Sequence, residues 1–425
     1  MKKFFFISIF LIGVAAFPQS VDPLRTSNYL QQERWVDSLM MTMTVDEKIG
    51  QLFMVQAYSN RDEKHEAFIK EMIHKYHVGN LIFMQGTPEK QVALTNEYQS
   101  MAKVPLLIGF DGEWGLDMRL KNTYRFPWNM TLGAVQQNEL IHDFGVHLGK
   151  HCKRVGIHVN FAPVVDINTN PTNPIIGNRS FGEDKENVTN KAIAFSQGMQ
   201  SQGVLGTAKH FPGHGDTATD SHFGLPVLNF EMNRLEEMEL FPYKKIFDAG
   251  MGGVMTAHLS VPALEANPKL PTSLSESVVT DLLKDKLGFL GLIFTDGLNM
   301  KGAADYASSA EIDLAAIKVG NDILLIPQDV PATIELMKKS LDDGSLSMQR
   351  IEQSVKKILL AKFKVGLHEF QPINTSNLIA DLNSPSNEVL HRKLVQASIT
   401  VVKNKKNILP VQDLKKNEKI RGSII

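Results

Sequence analysis

Eight short apolar runs recur along the chain, at residues 52–55, 79–84, 105–110, 159–166, 203–208, 253–257, 291–295 and 322–326. Each is four to eight residues long with little polar alternation. Strands buried on both faces of a parallel sheet read this way. Longer amphipathic segments lie between them, including 139–155, 187–202, 230–249, 275–287, 310–319 and 331–341, and a closing helix is expected at 347–363. Eight strands alternating with helices over roughly three hundred residues predict an α/β chain folded as a (β/α)8 barrel. A doubly wound open sheet is the alternative. No Gly-x-Gly-x-x-Gly follows an early strand, which counts against a dinucleotide site.

The ends of these runs carry the chemistry. Asp111 and Asp166 follow the third and fourth, Lys209 and His210 end the fifth, His258 the sixth and Asp296 the seventh. In a barrel the C-terminal ends of the strands converge on one mouth, where active sites are built. Five strands ending in ionisable groups place a site there.

Composition narrows the partners. With 45 basic and 46 acidic residues, a net charge of −1 offers no basic field for nucleic acid or an anionic membrane surface. Residues 1–20 read as a signal peptide: Lys2 and Lys3 precede an apolar stretch to Ala16 that is too short to span a bilayer comfortably. A periplasmic or secreted protein, free of the membrane after cleavage, is expected. Cys152 is the single cysteine, so the core has no intramolecular disulfide. Ahead of the barrel, residues 25–43 read as a helix and Thr44 to Glu47 as a capping box. The barrel is expected over 25–368. Residues 369–425 read as a Pro-, Asn- and Ser-rich linker, a helix at 389–398 and a strand-like stretch at 399–402. This tail has too little apolar surface for a core of its own, so it packs on the barrel, stays loose, or opens a further domain.

The densest polar stretch is Lys209-His210-Phe211-Pro212-Gly213-His214-Gly215-Asp216-Thr217-Ala218-Thr219-Asp220-Ser221-His222. In an extended loop, residues two apart point the same way, so Asp220 and His222 can meet. A carboxylate beside an imidazole orients the ring and favours its protonated form, giving a proton donor and acceptor; an incidental pair on a solvated turn is the competing reading. Asp296, between an apolar strand and Gly297, suits a nucleophile toward an anomeric carbon, or equally a helix N-cap. Lys209, His210, Arg179 and Asp111 supply the directional donors and acceptors that sugar hydroxyls need. Arg179 could instead tie down its own loop. A metal site built from His210, His214, Asp216 and His222 is the rival use of the loop. Neither a His-Glu-x-x-His helix nor a His-x-His strand accompanies it.

The 209–222 stretch resembles the signature of the bacterial β-N-acetylglucosaminidases of glycoside hydrolase family 3: Lys-His-Phe-Pro-Gly-His-Gly, a spacer, then Asp-Ser-His. Ile108 to Asp111, Gly177 to Gly182, Met255 to His258 and Phe294 to Asp296 agree with the same family, so the resemblance covers about residues 40–365. It implies a barrel in which Asp296 is the nucleophile, His222 the general acid/base tuned by Asp220, and Asp111, Arg179, Lys209 and His210 the grip on a terminal N-acetylglucosamine. No cofactor and no metal is implied. The Asp111-Gly112-Glu113-Trp114-Gly115 segment departs from the commoner Asp-Gln/His-Glu-Gly-Gly. Residues 397–404 resemble the start of the second, α/β sandwich domain of two-domain members. The function expected is a retaining exo-β-N-acetylglucosaminidase acting on peptidoglycan fragments or chito-oligosaccharides. β-Glucosidase or β-xylosidase activity, phosphorolysis, and sugar binding without catalysis are the alternatives.

Overall fold

The structure, a computed structural model, describes residues 22–405. The leader expected at 1–20 lies outside the described residues. Eight parallel strands are present: β1 Phe53–Ala57, β2 Asn80–Phe83, β3 Leu107–Phe110, β4 Val159–Asn160, β5 Leu205–Phe211, β6 Gly253–Thr256, β7 Leu292–Thr295 and β8 Leu324–Leu325. They pair in the order β7-β6-β5-β4-β3-β2-β1-β8. A bridge between Phe294 and Ile323 joins the two outer strands, and the N–H of Thr295 donates to the carbonyl of Ile323 at 3.0 Å. An open doubly wound sheet would keep two free edges. Here first and last strands are paired, and the fold is the (β/α)8 barrel.

Every strand residue except Gln56 is buried. One face packs on the surrounding helices, the other fills the barrel, where Phe161 and Phe294 meet edge to face at 5.2 Å. Burial on both sides is why the strands read as continuous apolar runs rather than alternating ones. The capping box forms as expected, with Thr44 Oγ1 accepting from Glu47 N and the Glu47 carboxylate accepting from Thr44 N.

Two elements differ from the sequence reading because of proline. The fourth run, expected over 159–166, pairs only at Val159–Asn160; Pro163 has no N–H to give to a ladder, and pairing returns at the Val164–Lys209 bridge. The helix expected over 230–249 is two helices, Met232–Glu237 and Phe241–Asp248, the second beginning around Pro242, which cannot continue the first.

The tail is held on the barrel from Ile373 to the helix that ends at Ser398. Asn96 brackets the backbone of Ile373 through both amide atoms. Arg154 donates to the carbonyls of Asn374 at 2.6 Å and Ser376 at 2.7 Å. The stretch that reads as a linker is thus pinned to the barrel. Helices Leu378–Leu382 and Pro385–Ser398 follow, burying Leu378, Leu382 and Leu394. The second helix touches the loop after β3: Tyr124 donates to Glu388 at 2.7 Å, and His391 Nδ1 to the carbonyl of Arg125 at 3.2 Å. Residues 399–402 do not form the expected strand, and Val402 is 93% exposed. A closed barrel has no edge to pair with.

At the opposite end of the barrel from the mouth, Lys362 is fully buried and donates to Gln51 Oε1 and the carbonyl of Gly79. Burial pushes its pKa down to about 7. Between that value and its ordinary 10.5 the unfolded chain binds a proton that the folded chain does not, so stability rises with pH across this window. Lys362→Met removes the effect. The difference in urea midpoint between variant and parent should therefore shift against the variant on going from about pH 6 to about pH 9. A difference that stays constant over that range would refute a strained ammonium.

Candidate active site

A pocket of about 460 Å³ opens at the C-terminal ends of the strands. Six of the seven residues singled out from sequence line it: Asp111, Arg179, Lys209, His210, His222 and Asp296. The seventh, Asp220, stands behind His222 and accepts from its Nδ1 at 2.8 Å.

The floor is a lattice of buried charge. Lys209 Nζ lies 2.9 Å from Asp111 Oδ1 and 2.8 Å from Glu113 Oε1, so one ammonium serves two carboxylates. Arg179 forks onto Glu113 through Nε at 3.0 Å and Nη2 at 2.8 Å. Arg119 closes the other end on Asp111 at 2.6 Å. Burial alone would raise both carboxyl pKa values. The charges of Lys209 and Arg119 outweigh it at Asp111, which is held well below the usual carboxylate range, and those of Arg179 and Lys209 hold Glu113 down to about 2. Burial pulls the Lys209 pKa down, but Asp111 and Glu113 more than restore it and keep it above its ordinary value.

Lys209 and His210 are neighbours in one strand, yet both side chains reach the pocket. Ordinary pleating would send them to opposite faces. The ladder from β5 to β6 shifts register between Ala208 and Phe211, and such an irregularity re-aims side chains. Asp166, buried beneath, fixes His210 by accepting from its backbone N and from Nδ1, the latter at 2.7 Å, and it also accepts from His214 N at 2.7 Å.

That last bond turns the chain into the loop carrying Asp220 and His222. Gly215 makes the turn possible, since a Cβ there would stand 1.9 Å from the carbonyl oxygen of Ile167. Buried His214 then bonds Thr217 Oγ1 at 2.6 Å and faces Ser221 Oγ at 3.3 Å. Burial pushes its pKa down to about 4, so the ring is neutral at pH 7. Beyond it, the carbonyl of Ser221 accepts from Gly302 N at 3.1 Å. Gly302 belongs to the segment after β7, and a Cβ on it would meet Ser221 O at 3.2 Å and His258 Cβ at 3.0 Å. The loop from β5 is therefore fastened to the segment that follows Asp296.

The geometry bears on each of the paired readings. Asp296 is no N-cap: Oδ1 accepts from the adjacent Gly297 N at 2.8 Å, and the next helix starts only at Lys301. Burial would raise its pKa, but His210, His258 and the Gly297 N–H prevail and hold it below its ordinary value. Arg179 lines the pocket and also ties down its own loop, Nη1 donating to the carbonyl of Ile175 at 3.1 Å. Asp220 and His222 are a bonded pair, with His222 half exposed at the rim. The rival metal set is dispersed: His210 bonds Asp166, His214 Thr217, Asp216 Arg234 and His222 Asp220. Among the described residues no three acids, histidines or cysteines are arranged to hold a metal ion. His258, at the end of β6, is turned away from the pocket to Ser273 and the carbonyl of Gly297.

Glu113 and Arg119 are the residues that sequence reasoning did not assign; Asp166 was placed at the mouth and His214 in the rival metal set, neither of them as a support. Glu113 lies inside a motif already set apart, two residues past Asp111. Arg119 follows Asp111 by eight residues through an irregular loop, and no spacing rule reaches it.

Residues 44–361 match the glycosyl hydrolase family 3 N-terminal domain. The chain belongs to this family. It is 33% identical to β-hexosaminidase A of Pseudoalteromonas piscicida, in a match covering 81% of this chain and 62% of that protein. It therefore spans less than two thirds of that relative's length. Among solved structures, this family 3 barrel is similar to a β-N-acetylglucosaminidase from Paenibacillus sp., at 33% identity and a TM-score of 0.78, covering 84% of this chain and 69% of that one. It is also similar to the β-glucoside phosphorylase BglX, at 26% identity and a TM-score of 0.82, covering 92% and 71%.

The knot around Asp166 yields a direct test. Asp166→Ala strands two backbone N–H groups and one imidazole nitrogen in a buried site. A loss of about 3 kcal/mol in urea unfolding is expected for donors left without acceptors. A loss under about 0.5 kcal/mol would mean the carboxylate is dispensable to the fold.

Proposed function

We propose that this family 3 chain is a retaining exo-β-N-acetylglucosaminidase. The observation that carries the reading is the division of one pocket into three kinds of group: an ionised carboxylate, a carboxylate-backed imidazole, and a floor of fixed charges. Asp296 attacks the anomeric carbon while the bond to the leaving-group oxygen breaks. With Nδ1 of His222 engaged by Asp220, Nε2 is the nitrogen that protonates that oxygen. Water then attacks the glycosyl-enzyme, gives its proton back to His222, and frees Asp296 with the anomeric configuration retained. Asp111, Arg179, Lys209 and His210 hold the terminal sugar, joined by Arg119.

The two relatives named for hexosaminidase and N-acetylglucosaminidase activity support the 2-acetamido sugar as substrate. The apolar leader at 1–20 supports export to the periplasm or beyond, where cell-wall fragments and chito-oligosaccharides are met. Phosphorolysis is the second reading, favoured by the likeness to BglX. A neutral imidazole also repels an incoming phosphate less than a carboxylate would.

A panel of 4-nitrophenyl β-glycosides tests the assignment. N-acetylglucosaminide should be cleaved well ahead of the glucoside and xyloside, and Asp296→Ala should reduce turnover to background. Preference for the glucoside, or activity surviving in Asp296→Ala, would overturn it. His222→Ala should lose about 10²- to 10⁴-fold on poor leaving groups, and far less on nitrophenyl. Equal losses on both would remove His222 from the acid role. Repeating the reaction in phosphate and assaying sugar 1-phosphate separates hydrolysis from phosphorolysis.

A further inference from the structure

Phe223 directly follows His222 and is 77% exposed, the most exposed phenylalanine among the described residues. Chance exposure of an apolar side chain needs no explanation by itself, but this one is held in a particular place. Its N–H donates to the carbonyl of Asp220 at 3.0 Å, so the turn that pairs Asp220 with His222 also fixes the backbone of Phe223. The carbonyl of Ser221 is in turn fastened to Gly302. The segment after Gly302 carries a second exposed aromatic, Tyr306, which is 42% exposed. The pocket itself is different: its floor is the ionic row of Asp111, Glu113, Lys209 and Arg179, and Tyr58 is the one Phe, Tyr or Trp among its lining residues.

The division follows the geometry of the reaction. A general acid donates to the oxygen that joins the bound sugar to its leaving group, so the inner side of His222 faces the sugar and its outer side faces whatever departs. Phe223 follows the acid directly in the chain, is exposed, and is not among the residues that line the pocket, as a ring serving that outer side would be. Pyranose rings present a face of C–H groups that covers an aromatic ring without costing any hydroxyl its hydrogen bonds to water.

We propose that Phe223 is a leaving-group platform, stacking on the pyranose ring of the sugar next to the scissile bond, so that the site selects glycosides whose leaving group is itself a sugar. This inference rests on the glycosidase reading above and specifies the other half of its substrate.

The test compares two leaving groups in the full chain: the N-acetylglucosamine of di-N-acetylchitobiose, and the small ringless alcohol of a 2,2,2-trifluoroethyl β-N-acetylglucosaminide. Phe223→Ala should lower kcat/KM on the disaccharide about tenfold, equivalent to about 1.4 kcal/mol. On the trifluoroethyl glycoside the loss should be under about twofold. Phe223→Trp should restore the disaccharide rate. Equal losses on both substrates would show that Phe223 only shapes its loop, and no loss on either would show an idle surface residue; both overturn the platform. Failure of the parent protein to cleave either substrate would instead overturn the glycosidase reading itself.

Discussion

One ammonium group holds the mouth of this barrel together. Asp111 and Glu113 are two residues apart and both largely buried, an arrangement that like-charge repulsion would forbid without compensation. Lys209 lies between them, and Arg119 and Arg179 close the two ends. Each carboxylate thus has two cations, and the row remains ionised at neutral pH. Such a row needs little reorganisation when a polar ligand arrives, because its dipoles and charges are already set by one another. Its weakness is equally plain. Removing Glu113 would leave Arg179 without its bonded carboxylate, and removing Asp111 would do the same to Arg119.

Asp296 and His222 are supported in different ways. Asp296 stands at the end of β7, on a rigid strand whose neighbours are packed on both faces. His222 lies fourteen residues into the stretch that begins at Lys209, on a loop held by Asp166, His214 and Gly302. Its place is defined by a relay of short polar contacts rather than by apolar packing. The bond from Gly302 to Ser221 makes the loop answer to the segment just after Asp296. The loop that carries His222 is therefore tied directly to the segment that follows Asp296.

Much of this was legible in the chain. Continuous apolar runs specify a buried parallel sheet because both faces lose solvent, and their number and spacing specify the ring. Charged residues at the ends of those runs mark the mouth, and Asp111, Lys209, His210 and Asp296 all arrive there. Sequence could not show where the ladder fails, since Pro163 and the register shift near Lys209 act through hydrogen bonds between strands far apart in the chain. Nor could it assign Arg119, whose approach to Asp111 depends on the path of an irregular loop. The part played by Asp166 was also hidden. A carboxylate after a strand looks alike whether it faces the ligand or lies beneath the residue that does.

The pairing of β1 with β8, and of the tail helix with the loop after β3, has a consequence for the chain as it is made. Residues 53 and 54 have no partners on one side until residues 324 and 325 have left the ribosome. The carbonyl of Arg125 waits longer still, for His391. Nascent chains therefore expose an unpaired strand edge until the last strand of the barrel is made, at a stage when such edges invite aggregation.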